Sequence, residues 1–207
     1  MPIWTRTWAT TRPKISTTKN SRFPSSGRAV PFALGLGANL GDPGGTLRRA
    51  VRQLRAALGN IDLRVSPLYR SEPVPPGPQP AFFNLVVVGR SALPPDALLA
   101  VSKALELQAG RQRGERFGPR VLDIDLLLYG QQASSAPELT LPHPRLAERR
   151  FVLAPLADLA PDWRVPPGQR TVAQLLADLG NAGGQAEVVA RDLLTSPPTP
   201  AAAVPAG

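Results

Sequence analysis

The sequence predicts an α+β fold of the ferredoxin-like, split βαβ kind, an antiparallel sheet with helices packed on it. Three observations carry that expectation. The apolar pattern switches between strand and helix periods in the order strand–helix–strand–strand–helix–strand. A length of 207 residues suits one domain with its own core plus appendages. No internal repeat, and no apolar run near the ~20 residues of a membrane span, breaks the pattern.

Phe32-Ala-Leu-Gly-Leu-Gly-Ala38 reads as the first strand and ends in a glycine-rich turn through Asn39, Gly41, Asp42, Gly44 and Gly45. A helix follows, with Leu47, Ala50, Val51, Leu54, Ala57 and Leu58 on one face and Arg48, Arg49, Arg52 and Arg55 mostly opposite. Gly59 and Asn60 stop it. Ile61 to Tyr69 alternates as a second strand. Five prolines between Ser71 and Pro80 make a stiff loop rather than a strand. Phe82 to Val88, rich in β-branched residues, is the third strand. Asp96 to Leu107 is the second helix, with Leu98, Val101 and Leu105 inward. An arginine-rich loop leads to a fourth strand, Val121 to Tyr129. Later pieces are Ala147 to Leu159, a helical Thr171 to Leu179, and a last strand, Ala186 to Ala190. The expected helices of the core pattern lie on one face of the sheet.

The domain expected from this pattern is 31–194. Residues 1–30 are basic and contain no acid, and residues 195–207 are rich in Pro and Ala; both read as disordered. The chain carries 24 Lys and Arg against 15 Asp and Glu, a net charge of +9. Arg6, Arg12, Lys14, Lys19, Arg22 and Arg28 supply six of those charges, so the basic excess belongs mainly to the leading segment. That segment fits an organellar transit peptide, a start codon set too far upstream or a plain extension. The absence of cysteine excludes disulfides, thiolate nucleophiles and Cys-based metal centres. A single histidine, His143, excludes His-rich metal sites, and aromatics at 5% weaken a base-stacking reading.

The chemistry is concentrated between Arg111 and Tyr129. Alternate strand residues share a face, so Asp123 and Asp125 point the same way with Cα atoms ~6.6 Å apart. Paired carboxylates in an apolar strand call for a cation between them, and a hard one such as Mg²⁺ accepts oxygen ligands. Arg111, Arg113, Arg116 and Arg120 lie just upstream, and guanidinium groups bind phosphate oxygens bidentately. Pro142-His-Pro-Arg145, then Arg149, Arg150 and Phe151, add more positive charge. The glycine-rich turn is neither G-x-G-x-x-G nor a Walker A sequence, which leaves nucleotide chemistry to the arginines and aspartates. Two other readings stand beside a polyphosphate site. One is a nucleic-acid-binding module using the basic segment and the arginine loop; the other is a structural Asp–Arg salt-bridge network.

The chain resembles the 6-hydroxymethyl-7,8-dihydropterin pyrophosphokinases of folate synthesis. The resemblance is carried in order by Leu36-Gly-Ala-Asn-Leu-Gly-Asp42, Ser66-Pro-Leu-Tyr-Arg70, Phe82-Phe-Asn-Leu-Val86, Leu105-Glu-Leu107, Arg116-Phe-Gly-Pro-Arg-Val-Leu-Asp-Ile-Asp-Leu126 and Leu141-Pro-His-Pro-Arg145. It covers about 33–165 and implies the ferredoxin-like fold. It also implies a reaction in which the pyrophosphoryl group of ATP passes to the dihydropterin hydroxymethyl group, leaving AMP, with two Mg²⁺ ions on the triphosphate. By that resemblance Asp123 and Asp125 are the metal ligands, and Arg111 and Arg120 support transfer. The ATP contacts are Lys103, Glu106, Arg111, Arg113, Arg116, Arg120, His143 and Arg149. The pterin contacts are Ser71, Phe82, Asn84, Asp123 and Phe151. Phe117 stands where the family usually has Trp. The further expectations are a monofunctional, monomeric enzyme that takes small molecules, engages no nucleic acid or membrane, and is cytoplasmic, or organellar if residues 1–30 are a transit peptide.

Overall fold

The computed structural model describes residues 29–59, 61–111, 118–180 and 182–193. Most of the basic extension, the Pro/Ala tail, Arg113, Arg116 and Phe117 lie outside the described residues.

Strand β1 (Val30–Ala38) divides the molecule in two. Phe32, Leu34 and Leu36 belong to one hydrophobic core and Ala33 to another. By strand alternation Gly35 and Gly37 share the face of Ala33. Helix α1 (Pro43–Ala57) starts on a proline, and Asp42 caps it by accepting the Gly45 N–H at 2.9 Å. Gly44 and Gly45, expected in the turn, therefore form the first turn of the helix.

The expected second strand, Ile61 to Tyr69, is instead two short strands, β2 (Arg64–Val65) and β3 (Leu68–Ser71). Pro67 between them has no N–H to donate to a ladder. Ser66 covers the break: its N–H donates to the Val86 carbonyl, and its hydroxyl accepts the Val86 N–H, both at 2.9 Å. Next come β4 (Phe82–Ser91), α2 (Pro95–Gln108) and β5 (Asp123–Tyr129), close to expectation. The remaining elements are the hairpin β6 (Ser134–Ala136) with β7 (Leu139–Leu141), a 3₁₀ turn (Leu146–Glu148), α3 (Arg150–Leu159), the hairpin β8 (Arg164–Val165) with β9 (Arg170–Thr171), α4 (Val172–Leu179) and β10 (Glu187–Ala190).

The main sheet has the order β10-β3-β4-β1-β5, with β2 also on β4, and every pairing is antiparallel. This is the ferredoxin-like order extended by β10. Residues of α1 and α2 bury against one face, with Leu47, Leu54 and Leu98 packed on Leu36, Leu85 and Ile124. The two core helices thus share one face as expected, and the other face is covered as well. Val152, Leu153 and Leu156 of α3 pack on Ala33, Val86, Val88 and Leu127, with Val172 of α4 behind them. Cutting the fully buried Leu153 to alanine would cost about 2–5 kcal/mol. The start of α3 does not close over the whole face, and the space left there is a cleft.

Candidate active site

A cavity of about 360 Å³ opens between this second face and the start of α3. Its floor is built by strand register. Gly37 on β1 pairs with Asn84 on β4 and with Asp123 on β5, and Gly35 pairs with Val86 and Asp125. Two rows thus cross the sheet, each with a bare glycine between a β5 carboxylate and a β4 side chain. Phe82, Ser71 and Asn84 line one side, and the Asn84 amide donates to Ser71 Oγ at 2.9 Å. Arg149, Phe151 and Val152 come from the start of α3. His143 and Arg145 also line the cavity, and the His143 backbone N–H donates to the Leu127 carbonyl at 2.9 Å, which fixes its loop on β5.

The two aspartates have different surroundings. Asp123 Oδ1 is 2.6 Å from Arg111, and Oδ2 pairs with Arg120. Burial opposes its charge, but Arg120 and Arg111 outweigh burial and hold its carboxyl below the ordinary range. Asp125 Oδ2 lies 3.7 Å from His143 Nε2 and 4.0 Å from Arg149, both beyond hydrogen-bond reach. Burial, and then the Asp123 carboxylate, raise its pKa above the ordinary value. Burial lowers His143 and Arg149 as well; Asp125 pulls the other way in each case. The Arg149 guanidinium also stands 5.6 Å from the Phe151 ring centre.

Lys103, Glu106 and Arg111 form a cluster behind Asp123 and do not line the cavity. The Glu106 carboxylate is buried, accepting the Ile124 N–H at 2.7 Å with Arg111 at 2.5 Å and Lys103 at 2.9 Å. Burial opposes the Arg111 charge, yet Asp123 and Glu106 together raise its pKa above the usual guanidinium value. Sequence reasoning missed Asn39 as a tie between loops. Its Nδ2 donates to Gln79 Oε1 and to the Pro80 carbonyl, while its Oδ1 accepts the Arg120 N–H at 2.7 Å. Gly35 and Gly37 were also missed as a floor; two glycines on one face of an apolar strand were the available signal. The structural salt-bridge network is tight at Asp123 and loose at Asp125, whose partners His143 and Arg149 stand 3.7 and 4.0 Å away.

Paired carboxylates, guanidinium groups and aromatic side chains thus meet in one cleft of a ferredoxin-like sheet. Residues 33–161 match the family model of 7,8-dihydro-6-hydroxymethylpterin-pyrophosphokinase (HPPK). A protein of Pseudomonas aeruginosa named 2-amino-4-hydroxy-6-hydroxymethyldihydropteridine pyrophosphokinase is 44% identical over 142 residues, 69% of this chain and 87% of that one. A protein of the same name from Synechocystis is 42% identical over 143 residues, 69% of this chain and 73% of its own. Among solved structures, a triple mutant of Plasmodium falciparum HPPK-DHPS superposes with a TM-score of 0.57 at 16% identity, over 73% of this chain and 44% of that one. That likeness bears on the fold alone. The chain belongs to the 7,8-dihydro-6-hydroxymethylpterin-pyrophosphokinase family. Nothing in these matches supports the nucleic-acid reading.

Proposed function

We propose that the cleft brings ATP and 6-hydroxymethyl-7,8-dihydropterin together so that the pterin hydroxyl attacks the β-phosphorus, giving AMP and the dihydropterin diphosphate. The chain is a diphosphotransferase of folate synthesis with ATP as co-substrate. One observation carries the reading of the site: the Asp123–Gly37–Asn84 row, with a carboxylate at one end and a two-way hydrogen-bonding amide at the other.

Asn84 offers the ring edge both a donor and an acceptor, beside Ser71. Phe82 and Phe151 offer the flat faces a pterin needs. Arg120, His143 and Arg149, which line the cleft, bind the triphosphate together with Arg113 and Arg116. Arg111, Lys103 and Glu106, set behind Asp123, would reach the nucleotide only after Arg111 leaves its carboxylate partners. The chemistry is positioning and charge neutralisation, with no covalent intermediate.

Mg²⁺ fits the residues present. Among the described residues no group of three or more His, Asp or Glu could enclose a metal ion by itself. A carboxylate pair that shares its ligand sphere with phosphate oxygens suits Mg²⁺, which seldom takes an all-protein cage. Burial, and then the neighbouring Asp123 carboxylate, raise the Asp125 carboxyl, and a divalent cation held between the two carboxylates would offset both. Asp123 and Asp125 would hold two such ions, which when bound neutralise the triphosphate oxygens.

Among the described residues no helix is long and apolar enough to cross a membrane. We place a monomeric enzyme in the cytoplasm, with an organelle as the alternative; a plant relative from Arabidopsis thaliana is named as mitochondrial. The deciding experiment measures AMP formation from ATP and Mg²⁺ with and without hydroxymethyl-dihydropterin. Pterin-dependent AMP is expected, and its absence would overturn the reading.

A further inference from the structure

We infer that Gly37 is a specificity-determining position: its missing side chain leaves a passage between Asn84 and Asp123 through which the hydroxymethyl arm of the acceptor reaches the carboxylates. This deepens the proposed function and rests on it.

Paired Cα atoms in an antiparallel sheet are ~4.5–5.5 Å apart, so Asn84 and Asp123 stand roughly 10 Å apart with Gly37 midway. An acceptor held by its ring edge at Asn84 must cross Gly37 to present a hydroxyl at Asp123. A Cβ on Gly37 would lie 3.0 Å from Asn84 Oδ1. The amide has little freedom to give way, because its nitrogen donates to Ser71 Oγ at 2.9 Å and the residue is buried.

The backbone itself does not call for glycine here. Gly37 is not among the positive-φ glycines, and its ladders to β4 and β5 are unbroken at this point. Glycine inside a strand is less stable than alanine, because it loses more chain entropy on folding. A central strand that accepts this cost in a conformation open to any residue points to a close approach over its backbone. Gly35 differs: a Cβ there would meet the Leu127 Cδ1 methyl at 3.3 Å, the end of a flexible side chain. It is the natural comparison.

The test uses calorimetric titration of 6-hydroxymethylpterin and unsubstituted pterin, each with Mg²⁺ and a non-hydrolysable ATP analogue, on the full chain. Gly37→Ala is expected to weaken both ligands, since its Cβ also presses on Asn84 Oδ1, and to weaken the hydroxymethyl ligand about tenfold more than the unsubstituted ring. Gly35→Ala is expected to affect both ligands alike. Equal loss of both ligands in Gly37→Ala, or no loss, would overturn the passage. A measurement on the wild-type protein stands independent of how the variant folds. A methyl group added to the arm carbon widens the arm that must cross Gly37 and is expected to lower affinity about tenfold; unchanged affinity would overturn the inference. Wild-type protein that binds neither pterin would overturn the proposed function and this inference with it, whereas the variant results bear on Gly37 alone.

Discussion

The Tyr69 hydroxyl of β3 donates to Asp158 of α3 at 2.6 Å, tying the sheet to the helix that carries Phe151 into the cleft. Burial, then the bond to Asp158 and its charge, raise the phenol above its ordinary value. The folded protein thus holds this proton more tightly than the unfolded chain does. Its contribution is fully present below about pH 10, the ordinary phenol value, and is lost as the pH rises above it. Melting temperature should fall across that range. Tyr69→Phe should be less stable at neutral pH by about 1 kcal/mol and show a flatter alkaline decline. Parallel declines in the two proteins would show that Tyr69 does not drive the loss.

Asp123→Ala and Asp125→Ala should each abolish AMP formation while circular dichroism shows a folded protein. Their stabilities should diverge. Removing Asp123 leaves Arg111 and Arg120 without their shared partner, so the melting temperature drops. Asp125 is opposed by burial and by Asp123, so its removal should leave the melting temperature unchanged or raise it. Near-normal turnover in both variants would sink the metal assignment.

Asn84→Ala and Phe151→Ala should weaken dihydropterin binding by about 1–3 kcal/mol each and ATP binding much less. Calorimetric titration of each ligand reads this directly. Equal losses for ATP and pterin would argue against a dedicated pterin pocket.

Glu106→Ala orphans the buried Ile124 N–H at the start of β5, at a cost of about 1–3 kcal/mol. Glu106→Gln keeps an acceptor for that N–H and should recover part of the loss. Urea denaturation of the two variants checks the order. If Gln were no better than Ala, the loss would trace to the ion pairs with Arg111 and Lys103 instead.

Elements long enough to show a period were legible in the sequence, among them α1, β4, α2 and β5. The break at Ser66-Pro67 was not, because the alternation of apolar residues continues across it while only the proline lacks a donor. The hairpins β6–β7 and β8–β9 have strands of three and two residues, too short to carry any period. Strand alternation placed Asp123 and Asp125 on one face. That Asn84 lies across Gly37 from Asp123 depends on register between distant strands, and single-sequence periodicity carries no register. The contrast between a doubly paired Asp123 and a weakly paired Asp125 arises from loop and helix ends, which pattern reasoning cannot place.

The row Asp123–Gly37–Asn84 takes its members from three strands well separated along the chain, with β1 central and β4 and β5 added on either side. Neither half of the chemistry is local. A nascent chain emerging N-terminus first would hold the amide side of the row before the carboxylate side exists. Since β5 is the last of the three to be made, and His143, Arg149 and Phe151 follow it, catalytic competence arrives only once β5 has docked and the start of α3 is in place. Turnover should therefore report on completion of the sheet as a whole: under mild denaturant, activity and global structure are expected to disappear together, with no half-assembled form retaining either substrate's reaction.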